Sequence, residues 1–178
     1  MSYTPKIILM DFKLLSAERY SCRIFNDKPV DEALITDVLK LTTLAPTAVN
    51  YQPLKFFVVR DEAKRQKLIE AGNIRFVAPV YIILAEDERA AWVRRYDGHN
   101  YADIDAGIVG GQLLLAVHEV GLRTVWVGSF DAPKVKEVFP ELTSYTLTAV
   151  FPIGYTDIDE PAPRHFLRKT IEELSAEL

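Results

Sequence analysis

Arg19 and Arg23 bracket Ser21 in the stretch Arg19-Tyr20-Ser21-Cys22-Arg23, which places two guanidiniums and a hydroxyl close together in the chain. Forked, permanently charged donors at this spacing suit a phosphate or another oxyanion. A second stretch, Ala45-Pro46-Thr47-Ala48-Val49-Asn50-Tyr51-Gln52-Pro53, carries two side-chain amides and a threonine hydroxyl in a loop interrupted by proline. That set of donors and acceptors suits the edge of a planar, hydrogen-bonding ring. Each stretch also has a plainer reading. Spaced four apart at the end of a first helix, the arginines share one face there, where solvated cations complement a helix C-terminus. In the loop, Thr47 and Asn50 can bond local backbone while Gln52 stays exposed.

Other chemistry-bearing residues form no convincing group. His99, His118 and His165 lack the mutual spacing and carboxylate neighbours of a zinc site, so no metal is expected. Gly107, Gly110 and Gly111 lie inside a helical pattern instead of following a strand, which points to close helix packing and away from a dinucleotide fingerprint. Cys22, the single cysteine, excludes an internal disulfide and fits a reducing compartment. Its position between two arginines would favour a thiolate, but a structural thiol is the simpler assignment.

The elements that must position these groups alternate along the chain. Helical apolar spacing covers 6–19 and 31–44, the latter with Asp31 as N-cap. Strands are expected at 55–59, 79–84, 123–127 and 147–153. A helix over 61–71 closes at Gly72. The longest helical pattern, 101–120, is apolar on nearly every side and stops at Gly121, which predicts a central helix. A short helix opens at Asp131 and Pro133 and ends before Pro140. The proline-rich 152–163 segment then leaves as an extended tail before a last helix over 171–178. At 178 residues one domain is expected, a sheet with helices on its faces. A formal charge of -4 gives no electrostatic case for nucleic acid. No apolar run reaches the roughly 20 residues that span a bilayer. The Ile7 to Met10 run, broken by Asp11 and Lys13, reads as helix and not as a signal peptide, so the expected location is cytoplasmic.

Taken in order, the motifs resemble the nitroreductase family of FMN-dependent oxidoreductases over most of the chain. The resemblance runs through Arg19-x-Ser21-x-Arg23, the Ala45 to Pro53 loop leading into a strand like Phe56 to Val59, and an Ala-Pro-plus-apolar strand at 78–84. It continues through the Leu113 to Ala116 run ending in Gly121-Leu122, the stretch Val125 to Phe130, the Pro152-Ile153-Gly154-Tyr155 turn, and the basic pair Arg168-Lys169. The fold it implies is α+β, a mostly antiparallel sheet flanked by helices in an intertwined homodimer, with the tail from about 156 extending onto the partner subunit. By the same resemblance, Arg19 binds the FMN phosphate with Arg168 or Lys169, while Ser21, with Tyr20 beside it, borders that end. Arg23 lies near the ribityl chain and the N1/O2 ring edge, where a fixed cation stabilises the charge left by two-electron reduction. Pro46, Thr47, Ala48, Asn50 and Gln52 reach the flavin of the partner subunit. Val127, Gly128 and Ser129 border the ring with an N–H near N5, and Asp105 lines the pocket from the long helix or acts as a capping carboxylate.

The chain departs from the family pattern at Leu54, where tryptophan is common, at Ala48, where a second hydroxyl is frequent, and at Arg123, where glycine is usual. The 86–101 segment is short, and its Trp92, Arg94, Arg95, Tyr96 and His99 form either a lid over the flavin or an ordinary surface helix. The activity implied is ping-pong transfer of hydride from NADH or NADPH through FMN to a small acceptor such as a nitroaromatic, quinone or flavin. The alternatives are a non-catalytic flavin-binding or regulatory module, and an FMN-dependent oxidase or dehalogenase.

Overall fold

The computed structural model describes residues 11–158 and 160–178. Four strands form one sheet: β1 (Leu54–Val59), β2 (Val80–Glu86), β3 (Arg123–Thr124) and β4 (Thr146–Gly154), in the spatial order β1-β2-β4-β3. Every pairing is antiparallel. Around the sheet lie α1 (Phe12–Glu18), α2 (Glu32–Thr42), α3 (Glu62–Gly72), α4 (Ala102–Glu119), α5 (Ala132–Val138) and α6 (Ile171–Leu174).

The period of two along β2 explains the layers. Val80, Ile82 and Leu84 face one side and join Ala149, Phe151 and Ile153 of β4 under α2 and α4. Tyr81, Ile83 and Ala85 face the other and join Leu68 of α3 and Val135 of α5. With both faces covered, β2 is buried along its whole length, as its unbroken apolar run requires. Between Leu84 and Ala85 the register with β4 shifts, a bulge that brings Thr148 beside Glu86.

Several expected boundaries move. The Ile7 to Met10 part of the first helix lies outside the described residues, and α1 is capped by the Asp11 side chain accepting from the Lys13 N–H. The helix before residue 72 is closed by Asn73 in the left-handed conformation (φ 50), not by Gly72, which is buried inside the last turn. The strand expected over 123–127 pairs only at Arg123–Thr124 and returns as a single bridge from Val127 to Val150. Between them Trp126 leaves the ladder and lies edge-to-face on Phe151, ring centroids 5.2 Å apart. Its ring fills the space where a Cβ on Gly110 would stand, 2.2 Å away. The last helix covers only 171–174, because Ser175 is extended. α4 is not buried all round: Ile104, Gly107 and Ile108 line an exposed stripe.

Candidate functional site

The Arg19–Arg23 stretch is not part of a helix. α1 ends at Glu18, and the chain runs extended, with Ser21 bridging Thr124 and the Cys22 N–H donating to the Thr124 carbonyl at 3.0 Å. In extended backbone alternate residues share a side. Tyr20 and Cys22 therefore point inward and are buried, while Arg19, Ser21 and Arg23 point outward. The arginines do share one side, but through a period of two and not through a helical turn. Cys22 donates its thiol to the Ile24 carbonyl at 3.2 Å, a structural role.

Outward of this strand the tail folds back over its own chain. The Tyr20 hydroxyl donates to the Ile158 carbonyl at 3.3 Å, and the Asn26 amide donates to the Asp157 carboxylate at 2.8 Å. His165 meets Tyr20 edge-to-face. The result is a cavity of about 230 Å³ lined by Arg19, Tyr20, Ser21, Arg23, Arg164, His165 and Arg168, with no acidic side chain on its wall. Gathering guanidiniums without carboxylates is unfavourable unless an anion is to be bound. Partial burial, and then the neighbouring Arg168, lower the pKa of Arg19. Arg164 was not anticipated from the sequence, where it sits in a proline-rich tail with no motif around it. Lys169, which was anticipated, is exposed and does not line the cavity.

Arg23 also borders a second cavity of about 410 Å³, lined with Asn73, Arg75, Phe76 and Val125 to Ser129. Arg23 lines both cavities, and Arg75 adds a second guanidinium to the larger one. Val127 has both main-chain groups bonded to Val150 at 3.0 Å, so the donors available at this edge are the N–H groups of Gly128 and Ser129. A Cβ at Gly128 would meet only the Trp126 ring, at 3.4 Å. The chain's own packing therefore tolerates a side chain there, and open space in front of the backbone remains. Asn73 and Arg75 were missed because they follow a helix end that reads as a simple C-cap.

The Pro46–Gln52 loop lines neither cavity. Thr47 uses its hydroxyl locally, accepting from the Gln52 N–H at 3.0 Å, and the Gln52 side-chain amide donates to the Asn50 carbonyl at 3.2 Å. Asp105 does not face the Val127–Ser129 edge. Its carboxylate is buried and accepts from the Ala48 N–H at 2.7 Å, so it braces the loop at the first turn of α4. The arginine end lies at the last turn, where Glu18 Oε2 is 4.0 Å from His118 Nε2 and both border a cavity with Tyr20 and Arg123. Asp105 and His118 are separated by roughly 20 Å along α4, at about 1.5 Å per residue.

The 86–101 segment is a turn-rich hairpin and not a surface helix. Val93 bridges Asn100, Trp92 packs edge-to-face on Tyr101, and Arg94 pairs with Asp97. None of its residues lines the two cavities. Among the described residues no cluster of His, Cys, Asp and Glu could hold a metal ion, and no helix is long and apolar enough to cross a membrane.

The family model described as Nitroreductase family matches residues 17–75 and 72–155. The chain belongs to the nitroreductase family. This nitroreductase-family chain is 32% identical to a nitroreductase family protein from Clostridium difficile 630, with a TM-score of 0.85 over 94% of this chain and 98% of that one. It is 27% identical to the NADH dehydrogenase of Thermus thermophilus over 89% of this chain and 93% of the relative. It is also 27% identical to the FMN reductase (NAD(P)H) of Bacillus subtilis, over 81% of this chain and 63% of the relative. The family match ends at Tyr155, so the assignment of Arg164 and Arg168 to the site rests on their place in the cavity wall.

Proposed function

We propose that this chain is an FMN-dependent oxidoreductase that uses NADH or NADPH to reduce a small oxidised acceptor, a nitroaromatic, quinone or flavin, in a ping-pong cycle. The observation that carries this reading is that Arg23 lines both an acid-free cavity of four arginines and a second cavity bordered by Val125 to Ser129. FMN has that profile, a phosphate dianion at one end and a planar ring at the other. When bound, FMN supplies the redox chemistry, taking two electrons from the nicotinamide and passing them to the acceptor.

The protein's part is binding and orientation. Arg19, Arg164 and Arg168 hold the phosphate by charge-assisted hydrogen bonds, with Ser21 as a neutral donor. Arg23 is the cation at the ring end, where electron density accumulates on reduction. The Gly128 and Ser129 N–H groups supply donors fixed by the Val127–Val150 bridge, and Asn73 and Arg75 line the same cavity. No side chain acts as a nucleophile.

The functional unit is a homodimer of one-domain chains. The loop at 46–52 stands at the far end of α4 from its own arginine cavity, so its exposed amides serve a second copy. The Ile104–Ile108 stripe of α4 is bare, and Cβ atoms at Gly107 and Gly111 would meet nothing within 4 Å, which leaves room for a helix of the partner to approach. Asp157, Ile158, Arg164, His165 and Arg168 of the tail lie against their own chain. Any reach across the partner falls to 169–178, where Ile171 and Leu174 are exposed.

Purified protein incubated with FMN and desalted is expected to stay yellow and to bleach when NADH or NADPH is added without oxygen. Protein that emerges colourless refutes FMN binding. Yellow protein that neither nucleotide bleaches refutes the enzyme reading in favour of a flavin-binding module.

A further inference from the structure

We infer that Asp105 is a positioning residue, which holds the 46–52 loop in the shape that serves the flavin site of a second copy of this chain. The inference rests on the FMN reading above. Asp105 is 1% exposed, and one carboxylate oxygen accepts the Ala48 N–H across 57 residues of sequence. Burying a carboxylate is costly without donors. What offsets the cost here is one backbone amide and the N-terminal end of α4. The second oxygen has no partner among the described residues, so Asp105 is not explained as part of a satisfied core network.

The anchored loop is itself held in an unusual shape. Just beyond Ala48 the backbone enters the left-handed region at Val49 (φ 54), Asn50 (φ 56) and Gln52 (φ 51). That region is disfavoured for L-residues and most of all for a β-branched one such as Val49. Val49, Asn50, Tyr51 and Gln52 are also exposed, so their side chains gain little packing within this chain to offset the strain. A strained, exposed loop tied to the core by a buried carboxylate is preorganised for a ligand outside its own chain. Its own arginine cavity is at the opposite end of α4.

Complementation between subunits tests this directly. Two chains carrying different tags, one Asp105→Ala and the other Arg19→Ala with Arg168→Ala, are co-expressed, and the mixed dimer is isolated through both tags. Each variant homodimer is expected to bind FMN on the order of tenfold to a hundredfold more weakly than wild type, from loss of a charged hydrogen bond or of the competent loop population. The mixed dimer is expected to regain one site of wild-type affinity, built from the arginines of the Asp105→Ala chain and the loop of the other. That recovery also proves the Asp105→Ala chain folded. Asp105→Asn, which keeps an acceptor for Ala48, should stay within about fivefold of wild type; if the alanine variant does not fold, Ala48→Pro, which removes the donated N–H instead, takes its place in the mixed dimer. Weak binding in both homodimers with no recovery in the mixed dimer overturns the proposal, as does unchanged binding in the Asp105→Ala homodimer. Wild-type protein that binds no FMN is the separate result that overturns the FMN reading, and this inference with it.

Discussion

Replacing Glu86 with glutamine should make the protein more stable at neutral pH, by an amount that disappears in mild acid. Glu86 ends β2 and is 1% exposed. Burial pushes its carboxyl up from 4.5 to about 6, the Thr148 hydroxyl bond opposes the rise, and the charges of Asp103 and Glu88 add to it. One Glu86 oxygen takes the Thr148 hydroxyl, and the other has no donor among the described residues. Protonation of Glu86 itself relieves the unpaired buried charge, and Asp103, in the first turn of α4, is an acidic neighbour that favours it. Because the folded chain holds this proton more tightly than the unfolded one, the contribution is stabilising. It is fully present below about pH 4.5 and is lost as pH rises through about 6. A rise of about 1.5 units at 1.36 kcal/mol each amounts to roughly 2 kcal/mol. Glu86→Gln stays neutral at every pH, keeps an acceptor for Thr148 and can donate to Asp103. Urea unfolding at matched protein concentration should place its midpoint about 1 M above wild type at pH 7.5, for a slope of about 2 kcal/mol per molar, and level with it near pH 4.5. A gap between the two proteins that does not change with pH would refute the reasoning.

Three further expectations concern packing and the arginine cavity. Gly110→Ala places a Cβ 2.2 Å from the Trp126 ring and should cost about 1–3 kcal/mol by overpacking, read as a lowered urea midpoint and altered tryptophan fluorescence. Gly107→Ala meets nothing in its own chain, so it should leave the subunit fold intact and weaken the proposed dimer, which sedimentation over a concentration series would detect. Arg19→Ala and Arg168→Ala should each lower FMN affinity by about 1.5–3 kcal/mol with little change in apo stability. Flavin fluorescence titration checks this, and unchanged affinity would remove the residue from the phosphate site.

Composition and short-range pattern were enough for the β2 and β4 strands, for α2 with its Asp31 cap, and for the family, because each is a local signal: an apolar run, a side-chain oxygen before a helix, a motif in order. The pairing of Arg19 with Arg23 was legible for the same reason, although a spacing of four is compatible with both a helix and an extended strand. Only the strand's contact with Thr124 selects the second. Arg164, Asn73 and Arg75 joined the site without any motif, since the tail and the left-handed turn at Asn73 bring them there through three dimensions. Asp105 was visible as a candidate, but its partner was not. A carboxylate near the start of a long helix serves equally well as cap, pocket wall or brace, and the choice is made by what packs beside it. The sequence by itself thus determined which chemistry is present, guanidiniums, amides and a buried sheet. The tertiary structure decided which groups stand together, because α4 is long enough to hold the loop and the arginine cavity apart in one chain.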